Sequence, residues 1–297
     1  MQQSLDNLIA LLDLEELEVN IFRGRCSEGW QRVFGGQVLS QALVAAGRTI
    51  AEGVCHSFHA YFLRPGDPTI PILYEVDRTR DGRTFTTRRV TAIQHGHAIF
   101  HLEASFQRPE TGPEHQDEMP DVPDPESLPT WQERMKPLVA QPERVEALSA
   151  RAPDTIKHWL ARERPIDIRH ITKCDPIAPE KLPARLQVWL RADGRLPAST
   201  LLHQCVAAYA SDMTLLDAAA LPHGITWAAG AHMVASLDHA MWFHREFRAD
   251  EWLLYDQRSP SAGGARGYST GRLFSRDGRL VVSVVQEGLI RPIRGAR

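Results

Sequence analysis

The chain carries the same plan twice, and this repetition limits its possible folds more than any other feature. The first copy runs from a helical apolar segment, GGQVLSQALVAAG, through four strand-like runs: FHAYFLRP, ILYEVDRT, TTRRVTAIQ and HAIFHLEASFQRP. The second runs from LLHQCVAAYASDMTLLDAAA through DHAMWFHREF, EWLLYDQRS, GYSTGRLFS and RLVVSVVQEGLIRP. His59 to Gln107 spans 48 positions and His239 to Gln286 spans 47, so each copy pairs an early His-Ala with a late Gln. A period of about 180 residues is too long for a solenoid. Each copy reads as strand, helix, then several antiparallel strands, an α+β order. A helix that is apolar on most sides needs cover on most sides, and a curved antiparallel sheet wrapped around it supplies that cover.

Between the copies, residues 108–130 (RPETGPEHQDEMPDVPDPESLPT) set six prolines among acidic residues. Such a segment forms neither a continuous helix nor an inner strand. Residues 131–164, rich in Glu, Arg, Ala and Leu, read as short helices. The expected division is a first repeat over 1–110, a linker with short helices over 111–184, and a second repeat over 185–297. A net charge of -3 argues against nucleic acid or an anionic membrane as a partner. No apolar run reaches the ~18 residues a membrane span needs. Cys26, Cys55, Cys174 and Cys205 are scattered and form no CxxC pair, which argues against a disulfide framework or a zinc site and fits a reducing compartment. The N-terminal stretch lacks the basic start of a signal peptide. A cytoplasmic protein without a metal or cofactor is the expectation.

Several residues are candidates for chemistry. Asp212 continues the apolar face of Tyr209 and Cys205 if the helix runs through it. Burial there is expensive without hydrogen bonds and raises a carboxylate's pKa, which suits a general base as well as a bonded structural residue. Gly35-Gly36 opens a helix. It is either an N-terminus whose free N–H groups face developing negative charge or a turn that needs glycine for φ or close packing. Val282, Val284 and Gln286 share one strand face, so a buried amide ends an apolar row. Ser236 lies on a strand. His59 and His239 read as matching positions, either a cleft histidine or packed core residues. Arg88 and Arg89, in DGRTFTTRRV, either hold phosphates or form a solvated face. GYSTG has the GxSxG spacing of a nucleophile elbow at Ser269. That motif needs a following helix and a later histidine, but a strand follows and the last histidine is His244. A strand serine is the better account.

Taken together, VFGGQVLSQAL, HSFHAYFLRPGDPTIPILYEV, RDGRTFTTRRV, YASDMTLL, LDHAMWFHR, EWLLY and VQEGLIR resemble the type II acyl-CoA thioesterases, in order and at similar spacing, over nearly the whole chain. The resemblance implies a double hotdog fold and hydrolysis of acyl-CoA to free acid and CoA, with no metal and no acyl-enzyme. It implies Asp212, Ser236 and Gln286 as catalytic residues around a water. Ser236 stands where the family usually has Thr. Gly36 and Gln37, at the start of the first helix, and His59 are expected to bind the oxyanion or substrate, and Arg88 and Arg89 the CoA phosphates. An apolar tunnel is expected to hold the acyl chain. A homo-oligomer, dimer or tetramer, is implied by resemblance alone. The competing readings are a hotdog enoyl-CoA hydratase or dehydratase using His59 or His239, and a non-catalytic acyl-CoA-binding protein.

Overall fold

A computed structural model describes residues 2–27, 32–141, 143, 164–175, 179–226 and 231–293. The first half contains α1 (Gln2–Leu12), β1 (Glu15–Glu18), β2 (Ile21–Gly24), α2 (Gly35–Arg48), β3 (Val54–Phe62), β4 (Ile72–Asp81), β5 (Phe85–Gln94) and β6 (His97–Gln107). After α3 (Trp131–Val139), the second contains β7 (Ile166–His170), β8 (Arg185–Ala192), α4 (Thr200–Ser211), α5 (Asp217–Ala220), β9 (His232–Ser236), β10 (Asp238–Phe243), β11 (Leu253–Gly263), β12 (Arg266–Ser275) and β13 (Leu280–Pro292). Strand β7 lies inside the stretch expected to be linker and pairs with β8. Most of the further short helices expected up to residue 164 fall outside the described residues.

The strands form one sheet in the order β1-β2-β4-β5-β6-β3-β10-β13-β12-β11-β8-β7, with β9 added on β13. The order reads the same from either end: β3 meets β10 in the middle, and each half then continues outward through its own last, middle and first hairpin strands. The central pair is antiparallel, with Ala60 opposite His239 and His59 opposite Ala240. The two repeats are thus joined edge to edge within one chain, which leaves neither central edge open.

Both long helices lie on the inner side of this sheet. Every residue of α2 from Gly36 to Ala46 is buried, because the sheet covers one side and α4 the other. Leu39 and Leu43 are fully buried, and each contributes roughly 2 kcal/mol through lost apolar surface. Ser40 Oγ donates to Cys205 O at 2.9 Å, and Gln204 Nε2 donates to Cys55 O at 2.7 Å, tying α2 and β3 to α4. Helix α1 covers the outer end of α2, where Gln41 Nε2 donates to Leu11 O.

The register corrects the sequence alignment of the repeats. A bulge between Asp77 and Arg80 on β4 recurs between Arg258 and Ser261 on β11. A second, with Ile99 of β6 as the extra residue opposite Ala92 and Ile93, recurs with Val281 of β13 opposite Leu273 and Phe274. Superposing these bulges places Arg88 on Ser269 and Ala104 on Gln286. Gln107 is therefore not the counterpart of Gln286; it sits at a strand end and bonds Glu110. His59 and His239 do not match either. His59 faces outward against Trp242, with ring centroids 5.1 Å apart, while His239 faces inward and is fully buried. A one-residue slip exchanges the faces of a strand, which a spacing argument alone does not detect.

Candidate active site

Three elements converge on Asp212. Helix α4 ends at Ser211, and Asp212 is its C-cap residue, so the carboxylate stands where the chain turns rather than on the helical face. Its side chain is 3% exposed. Ser236, the last residue of β9, donates to Asp212 Oδ1 at 2.9 Å. Gln286, from the middle of β13, donates from Nε2 to the same oxygen at 2.5 Å and to Ser236 Oγ at 2.9 Å. The structure therefore brings Asp212, Ser236 and Gln286 together from positions 24 to 74 residues apart.

The start of α2 closes the other side. The Gly36 N–H donates to the Asp212 carboxylate. A Cβ on Gly35 would stand 2.7 Å from Asp212 Oδ2, and one on Gly36 would stand 2.7 Å from Tyr209 O. Close approach of the two helices is thus what requires the glycine pair. Burial drives the Asp212 pKa up from the usual carboxylate range to about 6, against the pull of Gln286, Ser236, the Gly36 N–H and the Arg32 charge. A buried carboxylate without those donors would hold its proton at neutral pH. The positive end of α2 adds to them.

The other titratable neighbour is His239. Ser211 Oγ donates to Ala208 O at 2.9 Å and shares a second hydrogen bond, also of 2.9 Å, with His239 Nε2, its direction set by the tautomer of the ring. His239 Nδ1 lies 3.9 Å from Asp212 Oδ1. Burial depresses the His239 pKa to about 3, so the ring stays neutral and gives Asp212 no counter-charge. Tyr255 Oη donates to Ser211 O and fastens the last turn of α4 to β11.

Other expected site residues stand elsewhere. Gln37 spends its N–H on Phe34 O, and its side chain holds Arg25 O and Ser27. It anchors the chain before α2. The Gly36 N–H faces the Asp212 carboxylate. His59 lies on the outer face of the sheet, away from the helices. Arg88 is 1% exposed, and its guanidinium is taken up by Thr49, Asp81 and the carbonyls of Arg80 and Thr87. It has no face left for a phosphate. Arg89, on the outer face, is held by Glu103. A cavity of about 700 Å³ is lined by Gln2, Arg191 to Arg195, Arg248, Asp250 and Glu251, and none of the clustered residues borders it, so it is not the expected acyl tunnel. The signal for Gly35 and Gly36 was present in the glycine pair; that for His239 was masked by the false match with His59.

Among the described residues no helix is long and apolar enough to cross a membrane, and the four cysteines are free thiols. Residues 159–289 match the family profile of acyl-CoA thioesterase, and residues 26–107 match that of the acyl-CoA thioesterase N-terminal domain. The chain is 43% identical to human acyl-coenzyme A thioesterase 8, over 95% of this chain and 88% of that protein. It is 42% identical to acyl-CoA thioesterase 2 of Haemophilus influenzae, over 98% and 99%. Among solved structures, an acyl-CoA thioesterase II from Mycobacterium marinum aligns with a TM-score of 0.77 at 44% identity, covering 97% of this chain and 99% of that one. A protein from Alicyclobacillus acidocaldarius described as having a hot dog fold aligns at 0.74 with 18% identity, over 97% and 98% of the two chains, and shows the fold alone. With two repeats joined through β3 and β10 and similarity along nearly its whole length, the chain is a double hotdog thioester hydrolase and belongs to the acyl-CoA thioesterase family.

Proposed function

We propose that the protein hydrolyses acyl-CoA by direct attack of water, with Asp212 as general base and Ser236 and Gln286 as the groups that orient it. The observation that carries this reading is the convergence of Ser236 Oγ and Gln286 Nε2 on one oxygen of a buried carboxylate. Water gives a proton to Asp212 as its oxygen bonds to the thioester carbon. The tetrahedral intermediate collapses, the C–S bond breaks, and the CoA thiolate leaves as Asp212 returns the proton to sulfur. Acid and CoA are released, and the carboxylate is restored. A base with a pKa near 6 is strong enough to take a proton and still ionised at neutral pH, the balance general-base catalysis needs. Fixing the carboxylate by two side-chain donors and the Gly36 N–H holds its free lone pairs in one direction, so water is positioned before reaction.

The reading is tested by following thiol release from acyl-CoA of several chain lengths. Release by wild type and its loss in Asp212→Asn, with acyl-CoA binding kept, support it. Hydration of an enoyl-CoA without thiol release would establish the hydratase reading instead. Acyl-CoA binding without turnover by wild type would establish the non-catalytic one. A cytoplasmic location and self-association into a dimer or tetramer belong to the same proposal; sedimentation velocity reads the latter.

A further inference from the structure

The chemistry proposed above makes no use of His239, although its ring stands against the base. The ring is fully buried. Phe58 stacks on it, with centroids 6.4 Å apart and planes 22° from parallel, which fixes the plane. Nε2 lies 2.9 Å from Ser211 Oγ. Nδ1 has no hydrogen-bond partner among the described residues and stands 3.9 Å from Asp212 Oδ1. That separation is too long for a hydrogen bond, yet it sets the nitrogen against a charge.

A neutral imidazole carries one N–H, and the partner of one nitrogen decides which of the two holds it. Here that partner is a hydroxyl with a choice of its own. Ser211 Oγ lies 2.9 Å from Ala208 O as well as from Nε2, and its single proton serves only one of them. With that proton on Ala208 O, the ring proton sits on Nε2 and a lone pair at Nδ1 faces Asp212. With the hydroxyl turned to Nε2, the ring proton sits on Nδ1 and the positive end of an N–H dipole faces Asp212. The first arrangement makes two hydrogen bonds and the second makes one, so a neutral Asp212 leaves the ring in the first. An ionised Asp212 repels the lone pair and attracts the N–H. In a buried setting that difference is weakly screened and offsets the lost bond.

We propose that His239 is a positioning residue for Asp212: the ionised carboxylate selects the tautomer with its proton on Nδ1, and that N–H helps to hold the carboxylate ionised. Interconversion releases a proton from one nitrogen to water and takes one from water at the other, so the ring's charge is unchanged. Burial alone sets the basicity of the ring. Two further groups act with Asp212, Arg32 from the segment before α2 and Tyr255 from β11. Burial keeps the Tyr255 phenol protonated, and an arginine stays charged, so neither changes where Asp212 titrates.

The tautomer is read by nitrogen NMR of protein labelled with 15N-histidine, with the His239 signals identified by cross-relaxation with the Phe58 ring. Wild type is expected to carry the proton on Nδ1 well above pH 6 and on Nε2 well below it, changing over at the Asp212 midpoint of about 6. In Asp212→Asn that pH dependence is expected to vanish. A tautomer that ignores pH in wild type overturns the proposal, as does one that changes identically in Asp212→Asn. Two substitutions then read the consequence, since Asn places an amide nitrogen where Nδ1 stands and Gln places one where Nε2 stands. His239→Gln keeps the bond to Ser211 and loses the group facing Asp212. Its acid limb of kcat/KM is expected to move up by about one pH unit, a tenfold tighter proton on the base. His239→Asn is expected to keep the wild-type limb and to lower Tm through the lost Ser211 bond. A limb displaced in His239→Asn but not in His239→Gln would make the ring a prop for α4 and overturn the proposal. Its use in turnover rests on Asp212 being the base, and the two readings fail separately. A fixed wild-type tautomer beside an inactive Asp212→Asn removes this proposal and leaves the base. A tautomer that follows pH in an enzyme indifferent to Asp212→Asn removes the base and leaves His239 as the partner of the carboxylate.

Discussion

The two halves of the molecule solve one structural problem with opposite chemistry. In each, a buried helix ends against the inner face of its sheet, at Thr49 in the first half and at Asp212 in the second. In the first, Arg88 comes up from the sheet and its charged head is used up on Thr49, Asp81 and backbone carbonyls, while Ala104 faces the core beside it. In the second, the matching places hold Ser269 and Gln286, which are short or neutral, and the helix cap is the acid. A cation that fills its own space makes a closed joint. A carboxylate with three neutral donors has the make-up of the base proposed above. The duplicated scaffold thus supplies two equivalent helix ends that differ in side-chain length and charge, and on the proposed reading that difference leaves only the second able to act on a substrate.

The sharpest way to break this comparison is to replace the cap residue in each half. Asp212→Asn is expected to lower kcat by roughly 10²–10⁴, the contribution of a positioned base. Thr49→Val is expected to leave kcat intact and to cost about 1 kcal/mol of stability through its two lost hydrogen bonds. Equal losses of activity from both would mean that the halves share the chemistry. In wild type, kcat/KM is expected to fall about tenfold per pH unit below about 6, where Asp212 takes up its proton. Stability runs the other way. The native state holds the Asp212 proton more tightly than the unfolded chain, so stability is fullest below the ordinary carboxylate pKa and is lost as pH rises through about 6. The ionised group then costs roughly 3 kcal/mol. Thermal melts of wild type and Asp212→Asn across that range check the sign: the mutant is expected to show a shallower decline, keeping the part contributed by Asp217, which burial raises to about 7.

A smaller effect separates structure from substrate in the first half. Arg88→Met keeps most of the buried stem but removes the guanidinium. It is expected to destabilise by about 2 kcal/mol and lower Tm by roughly 4 °C, with KM for acyl-CoA unchanged. A tenfold rise in KM with Tm intact would restore Arg88 as a phosphate contact and undo the contrast.

The elements were far more legible than the face each residue takes. Helices and the main hairpin strands announce themselves through period and apolar content, and the duplication implies the wrapped-helix plan. Which strands join the two repeats, β3 with β10, is visible only in the folded sheet. Face is another matter, because a strand alternates with period two and a bulge shifts the count by one. Matching His59 with His239 by spacing passed through such bulges and put an outward residue on an inward one. The site was legible where polar residues interrupt apolar faces, as Asp212 and Gln286 do. Arg88 was misread because nothing local tells a buried arginine from a solvated one. Ser269 was rightly not an elbow, yet its register opposite Gln286 exists only in the folded sheet.

The smallest expected effect concerns Ser236, where the resemblance to the type II thioesterases leads to an expectation of threonine. Its hydroxyl donates to Asp212 and accepts from Gln286, so both partners already direct it. A threonine adds a methyl that narrows χ1 by crowding the backbone, and its hydroxyl can make the same two bonds. The strand partner of Ser236 is Gly288, which brings no side chain of its own against that methyl; Leu216 fills the space over the glycine instead. Ser236→Thr is therefore expected to hold kcat within about threefold of wild type or raise it, since the side chain gives up less rotamer freedom when it meets Asp212. Steady-state kinetics decide the point. A loss beyond tenfold with an unchanged Tm would show that Leu216 has closed around the serine, so that this half is fitted to the smaller residue as tightly as the first half is fitted to Arg88.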